Sequence, residues 1–322
     1  MSKHIRLKQL EELLISHPDG LRRAEIARRL GVNRSTIGRD VDELRESLPF
    51  VDEEDGRVRI DLSRYAARVE LNIHEAMALH LAMAALASVM DRNDPDAGEA
   101  MKKLAAAVAP VSDTISETIA ENAGILSEGR RKDVRFLRVL RELTEAWRRK
   151  KRAKIRYMAS GATARSFREI DVYTIHPYRL GRTIHVIAYD HSKNDIRSFR
   201  LDRIEDVQAL SEQYVIPDDF HISDYLQHSW GVWTGDQEPE LVRLRFAPAV
   251  ARRVQESTWH QSETTSEEPD GSLIWEARIA EPREMYPWIR GWGPDVEVLE
   301  PQSLRAEAER DAQAVLALYR KD

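Results

Sequence analysis

The stretch HPYRLGRTIHVIAYDHSKNDIRSFRLDRIEDV, residues 176–207, decides how this chain is read. Short apolar runs flank a polar turn at Ser192-Lys193-Asn194-Asp195, which predicts strand, hairpin and strand. Arg179, Arg182, Arg197, Arg200 and Arg203 are interleaved there with Tyr178, Tyr189 and Phe199. Guanidinium groups beside aromatic faces on a small β-structure suit the holding of phosphates and the stacking of bases. Strict alternation sends Phe199 and Leu201 to one face and Arg200 to the other, with Arg197 on the side of Phe199. A ligand surface shared by Arg197 and Arg200 therefore requires a bend or a bulge.

Working outward, residues 153–210 read as short strands with a further turn at Ser160-Gly161, which fits a small barrel or curled sheet. Just upstream, basic side chains crowd residues 130–156, from Arg130, Arg131 and Lys132 to Arg152, Lys154 and Arg156, opposed only by Asp133, Glu142 and Glu145. Residues 205–300 are acidic instead, with Glu238, Glu240, Glu263, Glu267, Glu268 and Asp270 expected in loops, and make a poor phosphate-binding face. The formal net charge of −6 over 322 residues conceals this asymmetry. Such a length implies two or more domains.

Cysteine is absent, which excludes disulfides, zinc fingers, thiol nucleophiles and iron–sulfur clusters and is compatible with a cytoplasmic protein. The segment MSKHIRLKQLEELL lacks the apolar core and cleavage site of a secretory signal. Residues 71–90, LNIHEAMALHLAMAALASVM, could span a bilayer by length, but Asn72, His74, Glu75 and His80 predict a buried bundle helix and no membrane partner.

Residues 1–62 predict three short helices and a hairpin. Ile5, Leu10, Leu13 and Leu14 face one way on the first helix, Ala24, Ile26, Ala27 and Leu30 carry the second up to Gly31, and Asn33 is placed to cap a third built on Ile37, Val41 and Leu44. Two alternating runs around Asp55-Gly56 form the hairpin. This is the winged helix-turn-helix order. Burying the stripe of the third helix leaves Arg34, Ser35, Thr36 and Arg39 outward, where Arg39 or Arg34 could take guanine bidentately while Ser35 and Thr36 meet phosphate. Arg22 and Arg23 add backbone contacts, and Arg57 and Arg59 sit on the wing. Gly38 within this helix is explained either by close approach to DNA or by tight packing. Asp40, Asp42, Glu43 and Glu46 are read as keeping its far end out of the groove.

Residues 63–150 read as a helical linker bundle punctuated at Asn93-Asp94-Pro95, Pro110 and Asn122-Ala123-Gly124. Residues 151–212 form the barrel, 213–239 a connection, and 240–322 a C-terminal α+β domain in which Trp259, Trp275, Trp288 and Trp292 are core or interface residues. No HExxH spacing, nucleophile elbow, P-loop or carboxylate dyad is present, so neither a metal, a cofactor nor an enzyme activity is expected.

With GVNRSTIGRDVDEL in the helix-turn-helix, the stretch 176–207, the connection SWGVWTGD and the C-terminal EMYPWIRGWGPDVEVLEPQSLR, the chain resembles the WYL-domain transcriptional regulators. The resemblance implies an Sm-like or SH3-like barrel, a homodimer and sensing of a nucleic-acid effector, with activation in DNA-damage responses or repression of defence operons. It implies effector contacts from His191, Arg197, Phe199, Arg200 and Arg203, with Tyr189 nearby; Tyr178, Arg182 and His185 complete the candidate set. The triplet that names the family falls here on Ile184-His185-Val186, and His185 in place of tyrosine predicts a contact that responds to pH near 6.5. The partners expected are double-stranded operator DNA and single-stranded DNA. The alternatives are a small nucleotide or phosphorylated metabolite at the barrel, or a constitutive scaffold recruiting partners through the acidic C-terminal domain.

Overall fold

The architecture was obtained as a computed structural model that describes residues 2–52, 55–62, 65, 69–128, 131–178, 182–235 and 238–320. Arg130 and Arg179 lie outside the described residues. The chain divides into two units, Met1–Asn72 and Ile73–Asp322.

In the first unit, α1 (Lys3–Ile15), β1 (Leu21–Arg22), α2 (Arg23–Leu30) and α3 (Arg34–Leu44) precede the wing strands β2 (Phe50–Asp52) and β3 (Arg57–Ile60). Leu10, Leu14, Ile26, Ile37, Val41, Val58 and Ile60 close the core. Three details differ from the sequence reading. Ile5 faces solvent, because it lies off the stripe set by Leu10 and Leu14. Leu21 and Arg22 add a third strand, in the order β1-β3-β2, that ties the start of α2 to the wing. Asn33 holds the cap position of α3 through its backbone carbonyl, which accepts from Thr36 and Ile37 at 3.0 and 3.2 Å, and its side chain makes no cap bond.

The second unit begins with α4 (Ile73–Val89), α5 (Pro95–Val108), α6 (Asp113–Glu128) and α7 (Val134–Arg148). Asp94 and Asp133 cap α5 and α7 by accepting the N–H of Ala97 and Phe136, each at 3.0 Å. Asn122-Ala123-Gly124, read as a break, is continuous helix within α6, because buried Ala123 continues the stripe of Ile119 and Leu126. The expectation of a buried helix at residues 71–90 is also corrected: Ala76 and His80 are buried, but Leu79, Leu81 and Leu86 face out. Apolar all round, α4 packs on its neighbours along one side only. No described helix is long and apolar enough to cross a membrane.

Helix α7 belongs physically to the sheet that follows. Its Phe136, Val139, Leu143 and Ala146 share one core with Ile155, Ile170, Val186, Phe199 and Leu201. That sheet contains β4 (Lys151–Tyr157), β5 (Ser166–Tyr178), β6 (Thr183–Asp190), β7 (Asp195–Arg200) and β8 (Ile204–Gln213), antiparallel in the order β7-β6-β5-β4-β8, with a short 3-10 turn at Leu201–Arg203. Register shifts in the β4–β8 and β5–β6 pairings break the regular ladder.

A short α8 (Ile222–Tyr225) leads to the C-terminal domain: β9 (Glu240–Phe246), α9 (Pro248–Gln255), β10 (Thr264–Glu267), β11 (Leu273–Ile279), α10 (Pro282–Gly291), β12 (Val296–Glu300) and α11 (Gln302–Tyr319). The sheet order is β10-β11-β9-β12. β10 escapes sequence reading because every residue in it is exposed and polar, so no alternation marks it. Trp230, Trp259, Trp275, Trp288 and Trp292 pack together, with Trp230–Trp288 centroids 4.8 Å apart, which makes them core.

Candidate nucleic-acid interfaces

On α3 the burial of Ile37 and Val41 turns Arg34, Ser35 and Arg39 fully outward and leaves Thr36 half-buried. Gly38 has no atom within 4 Å of where a Cβ would stand, which removes tight packing as its reason. Two of the acidic residues, Asp40 and Glu43, act within the fold. Asp40 is buried and accepts both Arg6 Nε at 2.6 Å and Nη2 at 2.9 Å, while Glu43 pairs with Lys3 at 2.8 Å, so they clamp α1 onto α3. Arg22 is exposed at the start of α2 and Arg23 half-buried. On the wing, Arg57 pairs with Asp55 at 2.8 Å and Arg59 is half-exposed.

The nine barrel candidates do not form one site. β6 and β7 pair without a register shift, placing His185 opposite Arg200, Val186 opposite Phe199 and Ala188 opposite Arg197. Arg197 and Arg200 therefore occupy opposite faces, and no bulge unites them. Phe199 is 4% exposed, packed edge-on to Tyr157 at 5.2 Å, so it offers no face for stacking. This corrects the reading of Phe199 as an effector contact: alternation that brings Arg200 out sends Phe199 in.

One group gathers Tyr178, His185 and Arg200. His185 is 6% exposed, its Nδ1 is 2.6 Å from Ser198 Oγ, and its ring meets Tyr178 edge-on at 5.0 Å. Burial, helped by the positive charge of Arg200, pushes the His185 pKa down to about 4. The expected pH response near 6.5 is thereby corrected: the imidazole is neutral and shielded. Arg200 Nε donates to Asp202 at 2.9 Å, and Thr183 Oγ1 donates to the same carboxylate at 2.8 Å. Arg92, in the loop between α4 and α5, also donates to Asp202, pairs with Asp133 at 3.3 Å and lies 4.7 Å over the Phe136 ring. Burial alone would raise the Asp202 pKa, but the Thr183 and Arg200 hydrogen bonds and the Arg92 charge overcome it, and the net direction is down.

Tyr178 also faces the C-terminal domain. Its hydroxyl hydrogen-bonds Glu284, and burial followed by that negative charge raises its pKa. Glu284, itself 4% exposed, accepts the backbone N–H groups of Gly231, Val232 and Trp233 at 2.9, 2.9 and 3.2 Å. One carboxylate on α10 thus holds the connection against the sheet. No sequence pattern singled it out, since the pairing spans fifty residues of chain and leaves no local spacing.

A second group lies about four residues along β6, roughly 13 Å away. There His191 Nε2 is 2.7 Å from Asp171 Oδ2, Arg152 Nε donates to Asp171 Oδ1 at 3.0 Å, and Tyr189 meets His191 edge-on at 5.0 Å. The remaining candidates are dispersed. Arg197 is exposed and 3.5 Å from Asp195, Arg203 reaches Ser160 Oγ at 3.4 Å, and Arg182 is exposed at positive φ.

Domain models match this chain as an HTH domain over residues 6–65, a WYL domain over 138–209 and a WCX domain over 238–316. The chain belongs to the WYL-domain transcriptional regulators, with a helix-turn-helix module at its N-terminal end. Among particular proteins it is similar to protein PafC of Mycobacterium tuberculosis, with 27% identity over 308 residues, covering 92% of this chain and 90% of that one. Among solved structures it is similar to proteasome accessory factor B/C (PafBC) of Arthrobacter aurescens, at 23% identity with a TM-score of 0.35, and to a CRISPR Cas-related protein, at 9% identity with a TM-score of 0.42. The match to the latter covers 79% of this chain and 88% of that one. All of this chain matches 49% of the PafBC chain, so it spans about half the length of that protein.

Proposed function

We propose that this protein binds operator DNA through α3 and the wing and adjusts that binding when its WYL domain captures single-stranded DNA, as a regulator in a DNA-damage response. Arg34 and Arg39 read bases, and Arg22, Arg23, Ser35, Thr36, Arg57 and Arg59 hold phosphates. On the barrel, Arg200, Arg203 and Arg182 meet the strand, while His185 and Phe199 support them from within.

The observation that carries this reading is the sharing of Asp202 by Arg200 and Arg92. A phosphate that engages Arg200 competes with Asp202 for the same guanidinium. Asp202 then shifts toward Arg92, and the loop between α4 and α5 responds. Because α4 follows the DNA-binding unit directly in sequence, the signal has a short covalent route to it. A homodimer reading two half-sites makes operator affinity sensitive to such a change, and the outward Leu79, Leu81 and Leu86 of α4 supply apolar surface for pairing.

The test is operator affinity of the full chain with and without a short oligothymidine. A change of about fivefold or more is expected, within the usual range of allosteric coupling. Arg200→Ala should weaken the oligonucleotide and remove that change while leaving operator affinity without effector intact. Operator binding indifferent to every oligonucleotide and nucleotide sinks the sensor reading and leaves the scaffold alternative.

A further inference from the structure

β7 is an edge strand, and between it and the connection entering the C-terminal domain lies a cleft of about 330 Å³. Its walls include Asp195, Arg197, Trp233, Thr234, Gly235 and Glu281. Ligand pockets run from about 300 to 1,000 Å³, so this one is sized for a single base and not for a strand.

Three features give the cleft a chemical preference. The Trp233 indole is 49% exposed, unlike the tryptophans packed in the C-terminal core, and its backbone is pinned by the N–H bond to Glu284. It is a flat face with nothing stacked on it among the described residues. Glu281 stands at the cap of α10 yet makes no cap bond, and no described side chain or backbone group donates to its carboxylate. Gly235 keeps the approach open, since a Cβ there would stand 2.9 Å from the Ala280 carbonyl and 3.1 Å from Glu281 Oε1. The two walls are tied together by Tyr225, whose hydroxyl donates to the Ile196 carbonyl at 3.2 Å and lies 3.0 Å from Thr234 Oγ1.

An ionised carboxylate only accepts hydrogen bonds. Guanine is the base whose Watson–Crick edge sets two donors side by side, the N1–H and the 2-amino group, to match the two carboxylate oxygens. Adenine and cytosine place a lone pair beside their amino group, and thymine flanks its one N–H with carbonyls. Arg197 and Asp195 are both half-exposed and 3.5 Å apart, a weak pair that a phosphate outside the cleft can open.

We propose that this cleft binds an unpaired guanine, with Trp233 stacking on the base, Glu281 reading its Watson–Crick edge and Arg197 meeting the attached phosphate. The inference rests on the reading that the WYL domain senses nucleic acid, and it names the base that is sensed. The guanine can be presented by a single strand or by a free guanine nucleotide.

The test measures binding of the full chain to oligothymidine, to the same oligomer carrying one central guanine or one hypoxanthine, and to dGMP alone. One guanine should tighten binding about tenfold, the discrimination typical of a bidentate base contact. Hypoxanthine, lacking the 2-amino group, should recover only part of that gain. Glu281→Gln should erase the preference while leaving oligothymidine binding and its salt dependence in place. Trp233→Ala should erase it too, and Trp233→Phe should keep most of it. Guanine oligomers that bind with dGMP failing to compete assign the site to strands; dGMP binding that depends on Trp233 and Glu281 assigns it to the nucleotide. Equal, measurable affinity for thymidine and guanine oligomers overturns the guanine pocket and leaves the proposed function standing. Absence of binding to every oligomer and nucleotide overturns both.

Discussion

On α3, Arg34 and Arg39 stand in solvent with no carboxylate paired to either among the described residues, whereas on the barrel Arg200, Arg152 and Arg168 each face a largely buried acid. Both surfaces are rich in guanidinium groups, yet only the first is ready for an anion as it stands. A phosphate arriving at α3 displaces water and counterions. One arriving at Arg200 must compete with Asp202, whose carboxylate is largely buried and also serves Arg92 and Thr183. The free cation favours affinity, and the paired cation converts capture into rearrangement.

The largest expected effect breaks that pairing from within. Asp202→Asn keeps the size and removes the charge that answers Arg92 and Arg200. Breaking a buried pair by removing one partner costs about 3–5 kcal/mol, and the remaining Asp133 partner of Arg92 holds this case near the lower end. Denaturant unfolding of the full chain measures it. A loss below about 1 kcal/mol would put the pair on a par with exposed ion pairs and erase the contrast between the two surfaces.

Next comes acid. His185 has a folded pKa of about 4 against an unfolded value of 6.5, because burial and the Arg200 charge disfavour imidazolium. As pH falls from 6.5 toward 4 the unfolded chain takes up a proton that the folded chain refuses, so stability drops in that window by about 3 kcal/mol and then levels. Above pH 6.5 this contribution is complete. His176 and His260, whose pKa values burial also lowers, act in the same direction. Stability of His185→Asn, which retains a partner for Ser198, should fall less over the same range. An unchanged acid limb would mean that the imidazole beside Arg200 is not the source.

Arg39→Ala addresses the other surface. Loss of a bidentate base contact costs about 1–3 kcal/mol of operator affinity, with oligonucleotide binding at the barrel unaltered. Measured side by side at one salt concentration, loss of both activities in a folded variant would dissolve the division of labour.

The helices and wing of the N-terminal unit were legible because their signals are local: the Leu10 and Leu14 stripe, the Gly31 turn and the alternating runs around Asp55-Gly56. At the barrel, alternation correctly separated Phe199 from Arg200, but the motif's likeness to its family promoted Phe199 and His185 to contacts that their burial denies. Asp202 stands two residues from Arg200, near enough in sequence to hold its guanidinium. Its second partner, Arg92, lies in a loop more than a hundred residues upstream, and nothing in the local pattern announces a tertiary ion pair. The same holds for Glu284 and the three backbone N–H groups it gathers. α7 was assigned to the linker because its amphipathic period reports that one face is covered without saying by what.

The smallest predicted change separates stability from recognition on α3 itself. Gly38 sits in mid-helix with open space where a Cβ would project, so Gly38→Ala should raise stability by about 1 kcal/mol through helix propensity. If α3 lies in the major groove with its backbone close to the duplex at Gly38, the same methyl group should weaken operator binding while the fold becomes more stable. Thermal unfolding and operator titration of one purified variant give both signs together. A variant that is more stable and binds as well as the parent would remove DNA approach as the reason for this glycine. The cations of α3 would then grip the duplex from Arg34 and Arg39 alone, with the helix standing further out of the groove.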